Sequence, residues 1–111
     1  MTVRSGRLVC VAGQVAIDPS GKLVGLGDFH AQAEETFENL KAAFAASGAS
    51  FDNVVKLKSY FVDIKQAPVF REVRDKYINL THPPVSTAVE VLRLVREEWL
   101  LEVEAIAVVP E

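Results

Sequence analysis

Two short segments hold most of the side chains able to do chemistry. Residues 83–91 read Pro-Pro-Val-Ser-Thr-Ala-Val-Glu-Val and residues 101–107 read Leu-Glu-Val-Glu-Ala-Ile-Ala. Their alternation predicts strands, and the repeat of a strand puts Ser86, Ala88 and Glu90 on one face of the first and Glu102, Glu104 and Ile106 on one face of the second. Carboxyl groups so placed can take up and return a proton and orient a water molecule, whereas a serine hydroxyl offers one neutral hydrogen bond. Nucleophilic use of Ser86 would require a base, and the only histidines, His30 and His82, have no triad-like context. They also lack a metal-ligand spacing, and the single cysteine, Cys10, can form neither a thiolate cluster nor an internal disulfide. The predicted chemistry is acid–base and orientational, with no metal and no cofactor.

Residue type alone also gives each candidate a plain reading. Glu104 reads first as a solvated strand carboxylate, Cys10 as an inert core thiol, His82 as a loop residue and His30 as a surface residue in the first turn of a helix. Gly13, isolated within a strand, marks a bulge or a close approach to the main chain. Arg93 has the opposite strand parity to Ser86 and Glu90, and Arg96 lies in the charged connection Val95-Arg96-Glu97-Glu98.

Five strands and two helices are predicted to position these groups. Residues 7–17 alternate apolar and β-branched types, and Asp18-Pro19-Ser20-Gly21 is turn chemistry leading to Lys22-Leu23-Val24, an opening hairpin. Asp28 caps a helix whose apolar positions Phe29, Ala33, Phe37, Leu40 and Phe44 recur at spacings of three and four, with Gly48 at its C-cap. Residues 54–62 read as a strand, Val69, Phe70, Val73, Tyr77 and Leu80 as a second helical stripe, and residues 85–94 and 99–108 as two further strands. Both faces of the 54–62 strand carry apolar residues, yet two helices cover only one face of such a sheet, so the other is expected to meet another subunit.

The chain has 111 residues, 50% of them hydrophobic and 24% charged, which fits one globular domain over residues 1–111. A formal charge of -3 without a run of Lys or Arg gives no footprint for nucleic acid. The apolar run from Leu8 to Ala12 is too short for a signal sequence or membrane span, and the lone cysteine suits a reducing interior, so a cytoplasmic location without membrane attachment is expected.

Ala12-Gly13-Gln14, Glu38-Asn39-Leu40-Lys41-Ala42, residues 52–56, residues 84–91 and Glu104-Ala105-Ile106-Ala107 follow one another in an order that resembles the RidA/YjgF family of reactive-intermediate (imine and enamine) deaminases. The resemblance runs from about Arg7 to Val109. It implies an α/β (α+β) fold of the chorismate-mutase type, one mixed sheet of five to six strands with two helices on one face. It also implies a homotrimer with small-molecule sites in the clefts between subunits. In that family the signature usually reads Pro-Ala-Arg-Ser-x-Val-Glu-Val, and its arginine holds the substrate carboxylate. Aligned on Val89-Glu90-Val91, Ser86 stands at the arginine's position, a change that sacrifices roughly 2 kcal/mol or more of anchoring.

By the same resemblance Glu104 matches the glutamate proposed to position water, Gly13 the glycine whose backbone lines the cleft, and Glu90 a carboxylate with a structural role between subunits. The family often carries a tyrosine-bearing Gly-Pro-Tyr-Ser-like segment ahead of its first strand, and this chain starts too late to have it. The expectation is a trimer that hydrolyses a reactive imine or enamine, releasing ammonia, on a substrate other than 2-aminoacrylate. Glu104 would orient water, with Gly13 and Ser86 lining the cleft. The alternative is a non-catalytic trimer that binds a small metabolite; a ribonuclease, a label family members have carried, sits poorly with the acidic balance.

Overall fold

Gly6, at φ 60°, closes a tight turn that no β-branched residue would tolerate, and the chain on either side of it pairs. Strands β1 (Thr2–Ser5) and β2 (Leu8–Gln14) form an antiparallel hairpin with Ser5 opposite Leu8. The N-terminal segment thus adds a strand ahead of the predicted opening hairpin. The predicted second arm at residues 22–24 reduces to a single bridge, Ile17 to Leu23. Asp18 closes that turn by accepting hydrogen bonds at Oδ1 from the Ser20 and Lys22 amides. The computed structural model describes residues 1–110.

Helix α1 (Phe29–Ala46) begins where predicted, with the Asp28 carboxylate accepting from the Ala31 amide, and ends at Ser47 with Gly48 in the left-handed region beyond it. β3 (Val54–Phe61) follows, then α2 (Ala67–Arg74), β4 (Val85–Glu90) and β5 (Leu101–Val108). The second helix is shorter than its apolar stripe suggested, because Tyr77 and Leu80 lie beyond its end. Tyr77 nevertheless stacks on Phe37 with ring centroids 5.3 Å apart and donates to Glu38, so the stripe reports packing rather than helix length. Among the described residues no helix is long and apolar enough to cross a membrane.

The sheet order is β1-β2-β5-β3-β4, mixed, with only the β3–β4 pair parallel. β5, last in the chain, is therefore central, between β2 and β3, and not the edge strand that its place in the sequence suggests. Both helices pack on one face, where Phe37, Leu40, Phe44, Leu57, Phe61 and Leu101 are fully buried. This is the expected α+β arrangement of one five-stranded sheet and two helices. On β3 a register shift between Val54 and Lys56 turns both Val54 and Leu57 inward, against simple alternation.

Ser59 also faces the helices, fully buried, and its hydroxyl has no hydrogen-bond partner. An orphaned buried hydroxyl destabilises by about 1–3 kcal/mol. Ser59→Ala is accordingly expected to leave stability unchanged or raise it by up to about 1 kcal/mol once the small lost contact is deducted, read as an unchanged or higher midpoint of thermal unfolding. A clear drop in melting temperature would show that the hydroxyl is bonded.

Candidate functional site

The opposite face of the sheet is uncovered. Residues that are directly paired share a face, so the buried Val103, Ala105 and Ala107 of β5 fix Glu102, Glu104 and Ile106 on the open side. Lys58 of β3 stands opposite Glu104, Tyr60 opposite Glu102 and Lys56 opposite Ile106, while Cys10 of β2 pairs with Ile106 from the other flank. Cys10 is therefore half-buried on the open face and not in the core. Lys56, Lys58, Glu104, Ala105 and Ile106 line a depression of about 170 Å³.

Tyr60 reaches diagonally along this face, and its hydroxyl donates a hydrogen bond to Glu104 Oε1. That bond, together with desolvation and the charges of Glu104 and Glu102, pushes the phenol up to about 12. At neutral pH the phenol is a fixed donor, and one carboxylate oxygen of Glu104 is pinned. Glu104 Oε2 has no protein partner among the described residues, so it is available to accept from water. Glu102 is held above the usual carboxylate range by burial and then by the Glu104 charge.

Gly13 lies at the β2–β5 register irregularity, beside Glu102. A Cβ there would sit 2.5 Å from Glu102 Cδ and 2.7 Å from Cγ, so the glycine makes room for that carboxylate. Gly13→Ala is expected to cost about 1–3 kcal/mol by overpacking. Most of that loss should return in the Gly13→Ala/Glu102→Ala double variant, as read by denaturant unfolding of the single and double variants. Equal losses in both backgrounds would mean that Glu102 is not the group displaced.

Ser86 lies elsewhere. It pairs with Leu57, which faces the helices, so Ser86 is on the other face of the sheet from Glu104, exposed because β4 is an edge strand. The two strand faces that sequence parity brought into view are thus opposite faces of one sheet. Within one chain Gly13 and Glu104 share a face and Ser86 does not; Ser86 and Glu104 can meet only across a boundary between chains. Glu90, on Ser86's side, accepts from the Ile64 amide at 3.1 Å and so fixes the turn before α2.

β4 ends at Glu90, four residues short of the predicted limit, so Arg93 is a loop residue to which strand parity does not apply. Arg96 lies 5.8 Å over the Trp99 ring and 3.5 Å from Glu98. His82 is exposed, and His30 pairs with Glu34 one helical turn away at 3.0 Å. Lys58 and Tyr60 were the residues that sequence reasoning missed. Their alternation with Leu57, Ser59 and Phe61 was visible, but not that β5 would lie beside them.

Residues 1–109 match the endoribonuclease L-PSP family. A RutC family protein of Pyrococcus abyssi is 37% identical over 105 residues, covering 95% of this chain and 81% of its own. Among solved structures, RidA from the Antarctic bacterium Psychrobacter superposes with a TM-score of 0.88 at 33% identity, covering 97% of this chain and 85% of its own. Escherichia coli TdcF, determined with bound serine, superposes with a TM-score of 0.86 at 30% identity, covering 98% and 86%. The sheet order, the two helices on one face and these likenesses over nearly the whole chain agree, and the chain belongs to the RidA/YjgF family, also described as endoribonuclease L-PSP.

Proposed function

We propose that this chain forms a homotrimer whose clefts between subunits hydrolyse a reactive imine or enamine, releasing ammonia, with a substrate other than 2-aminoacrylate. The observation that carries this is the Glu104 carboxylate, pinned at Oε1 by Tyr60 and open at Oε2 on an otherwise uncovered sheet face. Water adds to the carbon of the protonated C=N bond, the carbon–nitrogen bond breaks, and the nitrogen leaves as ammonia while a carbonyl forms. Glu104 orients that water and takes its proton, a role that needs position more than an altered acidity.

Two features support the assembly. The open face carries Val3, Leu8, Val85 and Val108 at 58, 44, 67 and 36% exposure, apolar side chains that a second chain would cover. The depression beside Glu104, about 170 Å³, is below the about 300–1,000 Å³ of ordinary small-molecule sites, so a second chain would supply the missing wall. Across that boundary a neighbour's β4 edge could bring Ser86 to the cleft.

A second reading, a non-catalytic trimer that binds a metabolite, is favoured by the bound serine in the related TdcF. The two separate in one experiment: imines generated in solution from a series of amino acids are incubated with the wild type and Glu104→Gln, and ammonia release is followed. Turnover that disappears with Glu104 supports hydrolysis. Ligand-induced thermal stabilisation without turnover of any imine supports the binding reading.

A further inference from the structure

Among the described residues of this chain that line the depression beside Glu104 there is no arginine to receive an anionic group, but there are two ammonium groups. Lys58 stands directly opposite Glu104 on the neighbouring strand, and Lys56 lies two positions along. Directly opposed Lys and Glu ordinarily pair across a ladder. Here they do not: among the described residues neither lysine makes a hydrogen bond or an ion pair, and Glu104 bonds Tyr60 instead. Lys58 Nζ lies instead 5.4 Å over the Tyr60 ring, which leaves its N–H donors unused.

We infer that Lys58 is the anion anchor of this cleft, holding the carboxylate of a small ligand whose reacting carbon lies towards Glu104. The assignment rests on the reading of Glu104 as the water-positioning group. Two carboxylates, Glu102 and Glu104, occupy the same face and would repel an anionic ligand, and Lys58 and Lys56 offset them. A flexible ammonium binds as a point charge where an arginine would bind as a planar fork. The cleft therefore accepts a carboxylate with less geometric restriction than an arginine imposes and tolerates bulkier groups around it. Moving the anchor from β4 to β3 also places it in the same chain as Glu104, so anion and water are positioned by adjacent strands of one sheet.

The test uses binding of 2-oxobutyrate, a carboxylate-bearing carbonyl compound of the kind that hydrolysis would produce, with butanone as its neutral counterpart. Amide shifts of residues 101–107 are followed by NMR in the wild type, Lys58→Met, Lys58→Arg and Glu104→Gln. Saturable binding of 2-oxobutyrate, and not of butanone, is expected in the wild type. Affinity should fall about tenfold or more in Lys58→Met, the loss of one charge-assisted contact, and stay within about threefold in Lys58→Arg. Added salt should weaken binding in the wild type and much less in Lys58→Met. Unchanged affinity in Lys58→Met, equal binding of butanone or no saturable binding overturns the assignment. Glu104→Gln should retain binding; if it binds normally while the wild type turns over no imine, the hydrolytic reading fails and the Lys58 assignment stands.

Discussion

Glu104→Gln is expected to lower imine turnover by about 10²–10⁴-fold, the usual worth of a positioned proton-transfer group, while leaving the folded protein intact. Glutamine keeps the shape and can still accept from Tyr60 through its amide oxygen, but it presents an NH₂ where the wild type presents a second acceptor. Water would then lose both its orientation and the base that takes its proton. Tyr60→Phe tests the other half of the pair. It removes a positioning group rather than a catalytic residue, and a loss of about tenfold in kcat is expected from the freed carboxylate.

The phenol supplies a readout that an ordinary packing role would not move. Tyr60 is pushed up to about 12, with the Glu104 hydrogen bond as the largest cause. In an ultraviolet titration the phenol should therefore ionise at clearly lower pH in Glu104→Gln than in the wild type. The sign also bears on activity: since the folded value is raised, the phenol remains a donor throughout the neutral range and well into alkali. No loss of turnover from its ionisation is expected below pH about 10, the ordinary tyrosine value. Wild-type turnover surviving in Glu104→Gln, or a Tyr60 titration unmoved by that change, would remove Glu104 from the mechanism.

The elements legible in the sequence are those whose controlling interactions are local. The Asp28 cap, the stripe from Phe29 to Phe44 and Gly48 beyond the helix end depend on neighbours within a few residues, and α1 was read within one residue at its C-terminal cap. Glu102 and Glu104 were correctly placed on one face, since strand parity is local too. Register is not local. Nothing near Ser86 states that it will pair with Leu57, or near Glu104 that it will pair with Lys58, and these two pairings decide which groups can meet. The centrality of β5 is similarly non-local, since a C-terminal strand must insert between two strands formed much earlier in the chain. Tyr60 and Lys58 were hidden for this reason alone: each is an ordinary strand residue until its neighbour is known.

The Glu-Asn-Leu-Lys-Ala segment shows the reverse case, a motif read by resemblance whose physical content the fold supplies. Asn39 donates from Nδ2 to the Val15 and Ile17 carbonyls at 2.9 and 2.8 Å. The helix thereby fastens the chain just after the Gly13 irregularity, where the sheet ladder provides no partner. The site residue and the motif are joined through a loop rather than through direct contact.

Gln32→Leu is expected to produce the largest loss of stability among the changes considered, about 2–5 kcal/mol, although the substitution nearly conserves volume and gains hydrophobicity. Gln32 is fully buried on α1; its Nε2 donates to the Gly25 and Glu98 carbonyls at 3.1 and 2.8 Å, and its Oε1 accepts from the Leu100 amide at 2.9 Å. All three partners are main-chain groups in loops, and leucine would strand them away from water. Against a total stability of about 5–15 kcal/mol for a domain of this size, such a loss is a large fraction. At roughly 4–8 °C per kcal/mol the melting temperature should fall by at least about 8 °C. The effect should also be directional. Leu100 immediately precedes β5, so the amides at the start of that strand, before Glu102, should lose hydrogen-exchange protection more than those of β3. A melting temperature within about 2 °C of wild type would mean that water reaches these loop groups, and that the clamp from α1 does not hold the strand that carries Glu104.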